Sequence, residues 1–253
     1  MSKTKNWINF CGVSSDEISG LLINSLPPIQ MPPKKTNVIN IEGRDGDIVE
    51  VLGYEAYDRT VNISLKNDYD VDEVIRWLNN SGDLILSNEP DKVYKAAVYD
   101  TVAFERLQKF KQASVKFHVQ PFKTLKKDCL QFEFEGVIGD FEVTVTNRGN
   151  IYSRPKISAD VSGGGRMIYV YVNDIRYFIL ITETMPNILN IDFETGIIEA
   201  YDFDSNKIEI SSIRYETDSL PSLNPGENTI KISTLVNGFT NPTLEVFNAS
   251  RWL

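Results

Sequence analysis

The sequence predicts a mainly β protein of two domains, with a single helix confined to the first. Three observations predict it. From Cys129 onward, short apolar-alternating segments recur with turn formers between them, the pattern of an antiparallel sandwich. Before that point one stretch, Val71 to Leu78, has apolar residues at helical spacing. No segment approaches the roughly 18 apolar residues that a membrane helix needs. The chain has 253 residues, with 42% hydrophobic and 24% charged residues. That length accommodates two ordinary domains, taken as residues 1–128 and 129–253.

The first domain opens with MSKTKNWINF. It has two lysines but no apolar core and no small-residue cleavage site, so it does not read as a secretory signal. Pro27, Pro28, Pro32 and Pro33 then make residues 27–33 a stiff, extended connector. Glu42 to Leu65 reads as a Gly43-Arg44-Asp45-Gly46 turn, a strand, and a second strand led by Gly53. Two glycines around a charged tip permit positive φ on both sides of it. With no nucleophile, ligand set or phosphate cradle, the segment is suited to contact. Arg44, Asp45, Tyr54 and Arg59 are its candidate inter-subunit residues.

The helix starts at a capping-box-like Asp70 and Glu73, presents Val71, Val74, Ile75 and Leu78, and stops at Asn79-Asn80-Ser81-Gly82. Strands are expected at Leu84–Leu86, Val93–Phe104 and Ala113–Gln120, with a turn at Asn88–Asp91 and a stop at Pro121. Lys109, Lys111, Lys116, Lys123, Lys126 and Lys127 alternate with Phe110, Phe117 and Phe122. This is read as the wet and dry faces of a strand rather than a nucleic-acid patch. The net charge of −9 agrees with that reading.

In the second domain, strands are expected at 141–145, 167–172, 175–181, 188–193, 197–201, 208–213, 229–235 and 244–247. Asn173-Asp174 is a two-residue hairpin turn. Gly163-Gly164-Gly165 reads as a flexible loop, since no Lys-Ser/Thr follows it. Asp202, Asp204 and Asn206 open like a calcium loop, but Lys207 and Ile213 stand where glycine and glutamate belong, so a polar hairpin tip is expected. His118 is the only histidine and lies mid-strand. Cys11 and Cys129 read as reduced packing residues. The residues point to no catalytic group, metal site or cofactor.

Several short motifs, in order along the chain, resemble the distal tail (Dit) proteins of long-tailed phages infecting Gram-positive bacteria. They are Gly43–Gly46, Gly53-Tyr54-Glu55, Arg59-Thr60-Val61 and Gln120–Lys123. In the second half they are Asn147, Ser153–Ile157, Pro225–Ile230 and Arg251-Trp252. The resemblance implies a β-sandwich-like ring domain with one helix and an extended hairpin, followed by a galectin-like or carbohydrate-binding-module-like sandwich. It implies a non-enzymatic homohexameric hub at the virion tail tip, assembled in the host cytoplasm. Its partners would be the tail tube protein, the tail-associated spike, and baseplate or receptor-binding proteins. DNA would pass through the ring without specific binding. From a different class, a monomeric carbohydrate-binding module using the second sandwich remains an alternative; Trp7, Trp77 and Trp252 are each able to stack on a sugar ring, but packing reads better for Trp77 on the helix, and docking of the tail accounts for Trp252 as well.

Overall fold

The computed structural model describes residues 5–136, 138–181, 184–215, 220–235 and 238–253; the first four residues of the amino-terminal stretch read above lie outside them. The protein is mainly β, as expected. It divides into two compact units, one ending at Lys126 and the other spanning Lys127–Trp252.

The first unit contains β1 (Ile8–Phe10), β2 (Val13–Ser14), β3 (Leu21–Ser25), β4 (Lys34–Ile39), β5 (Ile48–Tyr54), β6 (Tyr57–Lys66), α1 (Val71–Leu78), β7 (Ser81–Leu86), β8 (Glu89–Ala97), β9 (Glu105–Arg106) and β10 (Phe110–Leu125). Its main sheet runs β2-β1-β7-β8-β10-β6-β3, with β9 also on β10. β1 and β10 are not neighbours in that order, yet the Phe10 and Phe117 rings meet edge to face at 5.2 Å. The sheet therefore curls over a shared core, which explains its sandwich-like character.

Helix α1 begins at Asp70, whose carboxylate accepts from the Asp72 backbone N–H, satisfying one orphan donor of the first turn. Val74, Trp77 and Leu78 are buried. The Trp77 indole N–H donates to the Phe10 carbonyl at 3.1 Å, so its duty is packing. Two details correct the sequence reading. Ile75 is 45% exposed, because the buried stripe runs through Trp77 instead. The helix also ends without a left-handed cap: Asn79 has φ −77°, and the Asn80 amide covers the Arg76 and Trp77 carbonyls. Ser81 and Gly82 already belong to β7.

Other boundaries shift for identifiable reasons. The turn after β7 is Ser87-Asn88, and β8 starts at Glu89 with Pro90 inside it. That strand ends at Ala97, so Val98–Phe104 is not its continuation. Pro121 does not end β10, which runs to Leu125. The pairing of β10 with β8 instead shifts register between Val119 and Lys123, and such an irregularity is where a strand tolerates proline.

A further correction concerns charge. Lys123 is not on the wet face; it is buried, as are Arg59 and Glu89. These side chains come from three adjacent strands, β10, β6 and β8. Lys123 Nζ lies 3.0 Å from Glu89 Oε1. Arg59 Nη1 donates to the Tyr94 hydroxyl at 2.5 Å, and that hydroxyl donates to Glu89 Oε2. The Arg59 guanidinium carbon lies 4.8 Å from the centre of the Tyr94 ring. Burial first, then the bond to Glu89, push the Tyr94 pKa far above the ordinary tyrosine range, against the opposing pull of Arg59. A raised folded-state pKa means this contribution is complete below about pH 10 and is lost as pH rises beyond it. Urea unfolding should show stability falling by up to about 1.4 kcal/mol per pH unit for this proton above pH 10. Tyr94→Phe should lack that component of the slope.

The second unit contains β11 (Cys129–Glu133), β12 (Ile138–Gly139), β13 (Phe141–Asn147), β14 (Lys156–Asp160), β15 (Met167–Val172), β16 (Ile175–Leu180), β17 (Ile188–Asp192), β18 (Ile197–Tyr201), β19 (Lys207–Ile208), β20 (Ser212–Tyr215), β21 (Gly226–Thr234), β22 (Phe239–Thr240) and β23 (Thr243–Phe247). One antiparallel sheet is β11-β23-β14-β17-β18-β19 and another is β13-β21-β15-β16-β20, while β12 pairs with β22. Inward residues of both larger sheets, among them Val143, Val170, Ile232, Ile157, Leu189 and Leu244, form one core. The 208–213 segment is not one strand: Ile208 ends an edge of one sheet and Ser212 begins an edge of the other.

Turn chemistry in this unit follows the residues. Asn173 has φ 52° between Val172 and Ile175, which face each other, as a two-residue hairpin requires. Asp202 accepts the Asn206 backbone N–H at 2.8 Å, which makes the Asp202–Asn206 segment a closed polar tip. The triple glycine is more constrained than a flexible loop: a Cβ on Gly164 would sit 2.1 Å from the Phe239 ring. Asn147, buried at the end of β13, donates to the carbonyls of Ile151 at 2.8 Å and Leu223 at 3.0 Å and accepts from Gly149 N–H. Truncation removes these bonds, and although the Leu223 carbonyl keeps the Ser153 N–H at 2.9 Å, a buried group left without a partner costs about 1–3 kcal/mol. Asn147→Ala should therefore lower the urea midpoint of the chain and loosen the Asn147–Ile151 turn in hydrogen exchange.

Candidate functional site

The candidate site is a surface built for contact, the two-stranded ribbon of β4 and β5. The proline-rich segment 27–33 leads straight into β4, which pairs with β5 and, among the described residues, with no other strand. The sequence reading placed the hairpin at Glu42–Leu65. The structure corrects this: the strands that pair are Lys34–Ile39 and Ile48–Tyr54. The second strand of the earlier reading, from Tyr57 on, is β6, buried in the main sheet between β10 and β3.

The tip lies where expected. Gly43 and Gly46 have φ of 82° and 77°, left-handed values that an L side chain resists. The Arg44 backbone N–H donates to the Ile41 carbonyl at 3.1 Å and closes the first turn. Arg44 and Asp45 are exposed on it.

Both faces of the ribbon carry exposed apolar side chains. Cross-strand partners share a face, so Val38 with Val49, and Thr36 with Val51, form one side. Ile39 with Ile48, and Asn37 with Glu50, form the other. A register irregularity at Lys35/Thr36 puts Leu52 out of the pairing. Every residue of β4 is exposed, as is β5 up to Leu52; Val49 is 56% exposed. Ile29 and Met31 on the connector and Ile41 near the tip are exposed as well. A lone two-stranded ribbon is marginal in water, and exposed apolar surface of this extent marks an interaction site.

At the ribbon's root the Tyr54 ring meets Phe122 at 5.6 Å, edge to face, and Glu55 N–H donates to the Pro33 carbonyl at 2.9 Å. Tyr54 is thus half-buried and anchors the hairpin to β10. Arg59 stands apart from the other three candidate residues, with no accessible surface and its bonds made inside its own unit. Its fate was legible: Tyr57, Arg59, Val61, Ile63 and Leu65 alternate on one face of β6, and all five are buried. The apolar character of the ribbon is what the sequence reading missed. The signal was Val38, Ile39, Ile41, Ile48, Val49, Val51 and Leu52 clustering around the charged tip.

The remaining candidates take structural roles. His118 Nδ1 lies 2.8 Å from Asp58 Oδ1 across the β10–β6 ladder, with Tyr99 as a ring neighbour. Both cysteines are free thiols. Among the described residues no group of three or more His, Cys, Asp or Glu side chains is placed to hold a metal. No described helix is long and apolar enough to cross a membrane.

Comparison with known proteins bears on this arrangement. The profile of the phage tail protein RIFT-related domain matches residues 17–119, the stretch that holds the ribbon, α1 and most of the main sheet. No curated protein matches the sequence. The chain is similar to the crystal structure of the SPP1 Dit (gp 19.1) protein, described as a paradigm of the hub adsorption apparatus in Gram-positive infecting phages. The TM-score is 0.67 at 14% identity, covering 98% of this chain and 99% of that one. Weaker similarity, with a TM-score of 0.44 and 10% identity, extends to the phage P2 baseplate in its activated conformation with Ca, over 90% of this chain and 97% of that one. These findings agree with the family resemblance read from the sequence: residues 17–119 match the phage tail protein RIFT-related domain, and the chain has the fold of the SPP1 Dit protein.

Proposed function

We propose that this protein is a structural hub of a phage tail tip, in which six copies close into a ring and join the tail tube to the host-recognition apparatus. The observation that carries the reading is the β4–β5 ribbon. It exposes apolar side chains on both sides and adds none to either core of the described chain, so a second molecule is the natural cover. A closed ring needs two different patches on each copy meeting head to tail. A projecting ribbon with a charged tip supplies one of them. The second sandwich is then free to carry baseplate or receptor-binding proteins. The likeness to SPP1 Dit supports the same assignment. The net charge of −9 would repel phosphate along a DNA path through the ring; a lysine-lined lumen would contradict that part.

The test is assembly of the purified chain and its variants, measured by light scattering and electron microscopy. Arg44→Ala with Asp45→Ala should shift a six-fold ring toward smaller species. Hexamers unaffected by both changes would remove the tip from the contact. A wild-type protein that stays monomeric at high concentration, alone and with tail tube protein, would refute the ring. Retention of that monomer on a polysaccharide column would favour the carbohydrate-binding alternative.

A further inference from the structure

The buried charges of the first unit do not balance. One carboxylate, Glu89, faces two cations, Arg59 and Lys123, and all three are almost wholly removed from water. An excess buried charge is costly unless something compensates it. The unused bonding capacity on β6 is equally one-sided. Among the described residues, Arg59 Nε, Arg59 Nη2 and the Tyr57 hydroxyl are buried with no hydrogen-bond partner. Nε and Nη2 are the two parallel N–H groups on one edge of the guanidinium, the edge that binds an anion in bidentate fashion. Its Nη1 is committed to Tyr94. Tyr57 precedes Arg59 by two residues on the same buried face of β6, and its hydroxyl also can donate.

We propose that the Arg59 Nε/Nη2 edge and the Tyr57 hydroxyl form a buried binding site for a small inorganic anion of the halide class, chloride in ordinary buffers. Three features select this ligand. The two Arg59 N–H groups can only donate and the Tyr57 hydroxyl can donate as well, so one acceptor satisfies all three. The local charge is positive, which favours an anion over a neutral water molecule. The donors belong to fully covered side chains, which limits the ligand to a few atoms and rules out phosphate esters or carboxylate side chains of a partner. Tyr57 opens β6 directly after the ribbon, and Lys123 follows Phe122, on which Tyr54 rests. A bound anion would therefore brace the root of the projecting hairpin.

The experiment uses the full chain with sodium chloride or sodium bromide against sodium gluconate at constant ionic strength. If one anion binds only the folded protein, the apparent folding constant rises toward tenfold for each tenfold increase in chloride above its dissociation constant. Lys123→Met, which leaves one cation facing one carboxylate, should flatten that dependence, and Tyr57→Phe should weaken it. Crystals of the wild-type protein grown in bromide should show an anomalous peak at the Arg59 edge, a readout that does not depend on any variant folding. A water molecule there that bromide does not displace would overturn the proposal. So would a chloride dependence identical in wild type and Lys123→Met.

Discussion

Glu89→Ala should destabilise the amino-terminal unit by about 3–5 kcal/mol, the cost of leaving buried charge without its partner. Glu89 accepts from Tyr94 and pairs with Lys123 at 3.0 Å, with Arg59 at 3.7 Å. Removing it strands two cations in a place water does not reach. Urea unfolding followed by tryptophan fluorescence reads the loss through Trp77, which lies in the same core. The control removes one of the two cations together with the carboxylate. A Glu89→Met, Lys123→Met pair should recover part of the loss, because it strands Arg59 alone instead of both cations. Equal destabilisation by the single and double variants would show that packing volume, rather than charge, sets the effect.

Replacing Val38, Ile39, Ile48, Val49 and Val51 together by threonine should abolish assembly while leaving the folded monomer almost as stable as before. These side chains are exposed, and surface substitutions that touch nothing usually change stability by less than about 0.5 kcal/mol. Threonine also keeps the β preference of the ribbon. The expected result is a fall in mass by light scattering with an unchanged urea midpoint. Rings that persist through these five changes would show that the ribbon is not their contact surface, and the receptive interface would have to be sought on the main sheet instead.

Much of the fold was legible because the local signals were unambiguous. Asp70 marked the helix start, Asn173-Asp174 the hairpin, and alternation in β13, β15 and β21 the sandwich. The two misplaced charges have a common cause. Arg59 and Lys123 were read by their charge, as surface residues, although each lies on the buried parity of its strand: Arg59 between Tyr57 and Val61, Lys123 six residues beyond Phe117. Local pattern favoured the inside and chemical type the outside. Only Glu89 and Tyr94, contributed by a third strand, made the inside tolerable.

By itself the sequence determined the class of fold, the single helix, the turn at Gly43–Gly46 and the distal tail resemblance, because these depend on period, backbone permissiveness and short motifs. Strand partnership was decided only in three dimensions. Nothing local says that Ile48–Tyr54 pairs back with Lys34–Ile39 while Tyr57–Lys66 joins the core, since both strands carry apolar residues and differ only in what else is available to cover them. Pairing energy comes from residues distant in the chain, and the ribbon stays outside because the core of the first unit is filled by the main sheet and the helix.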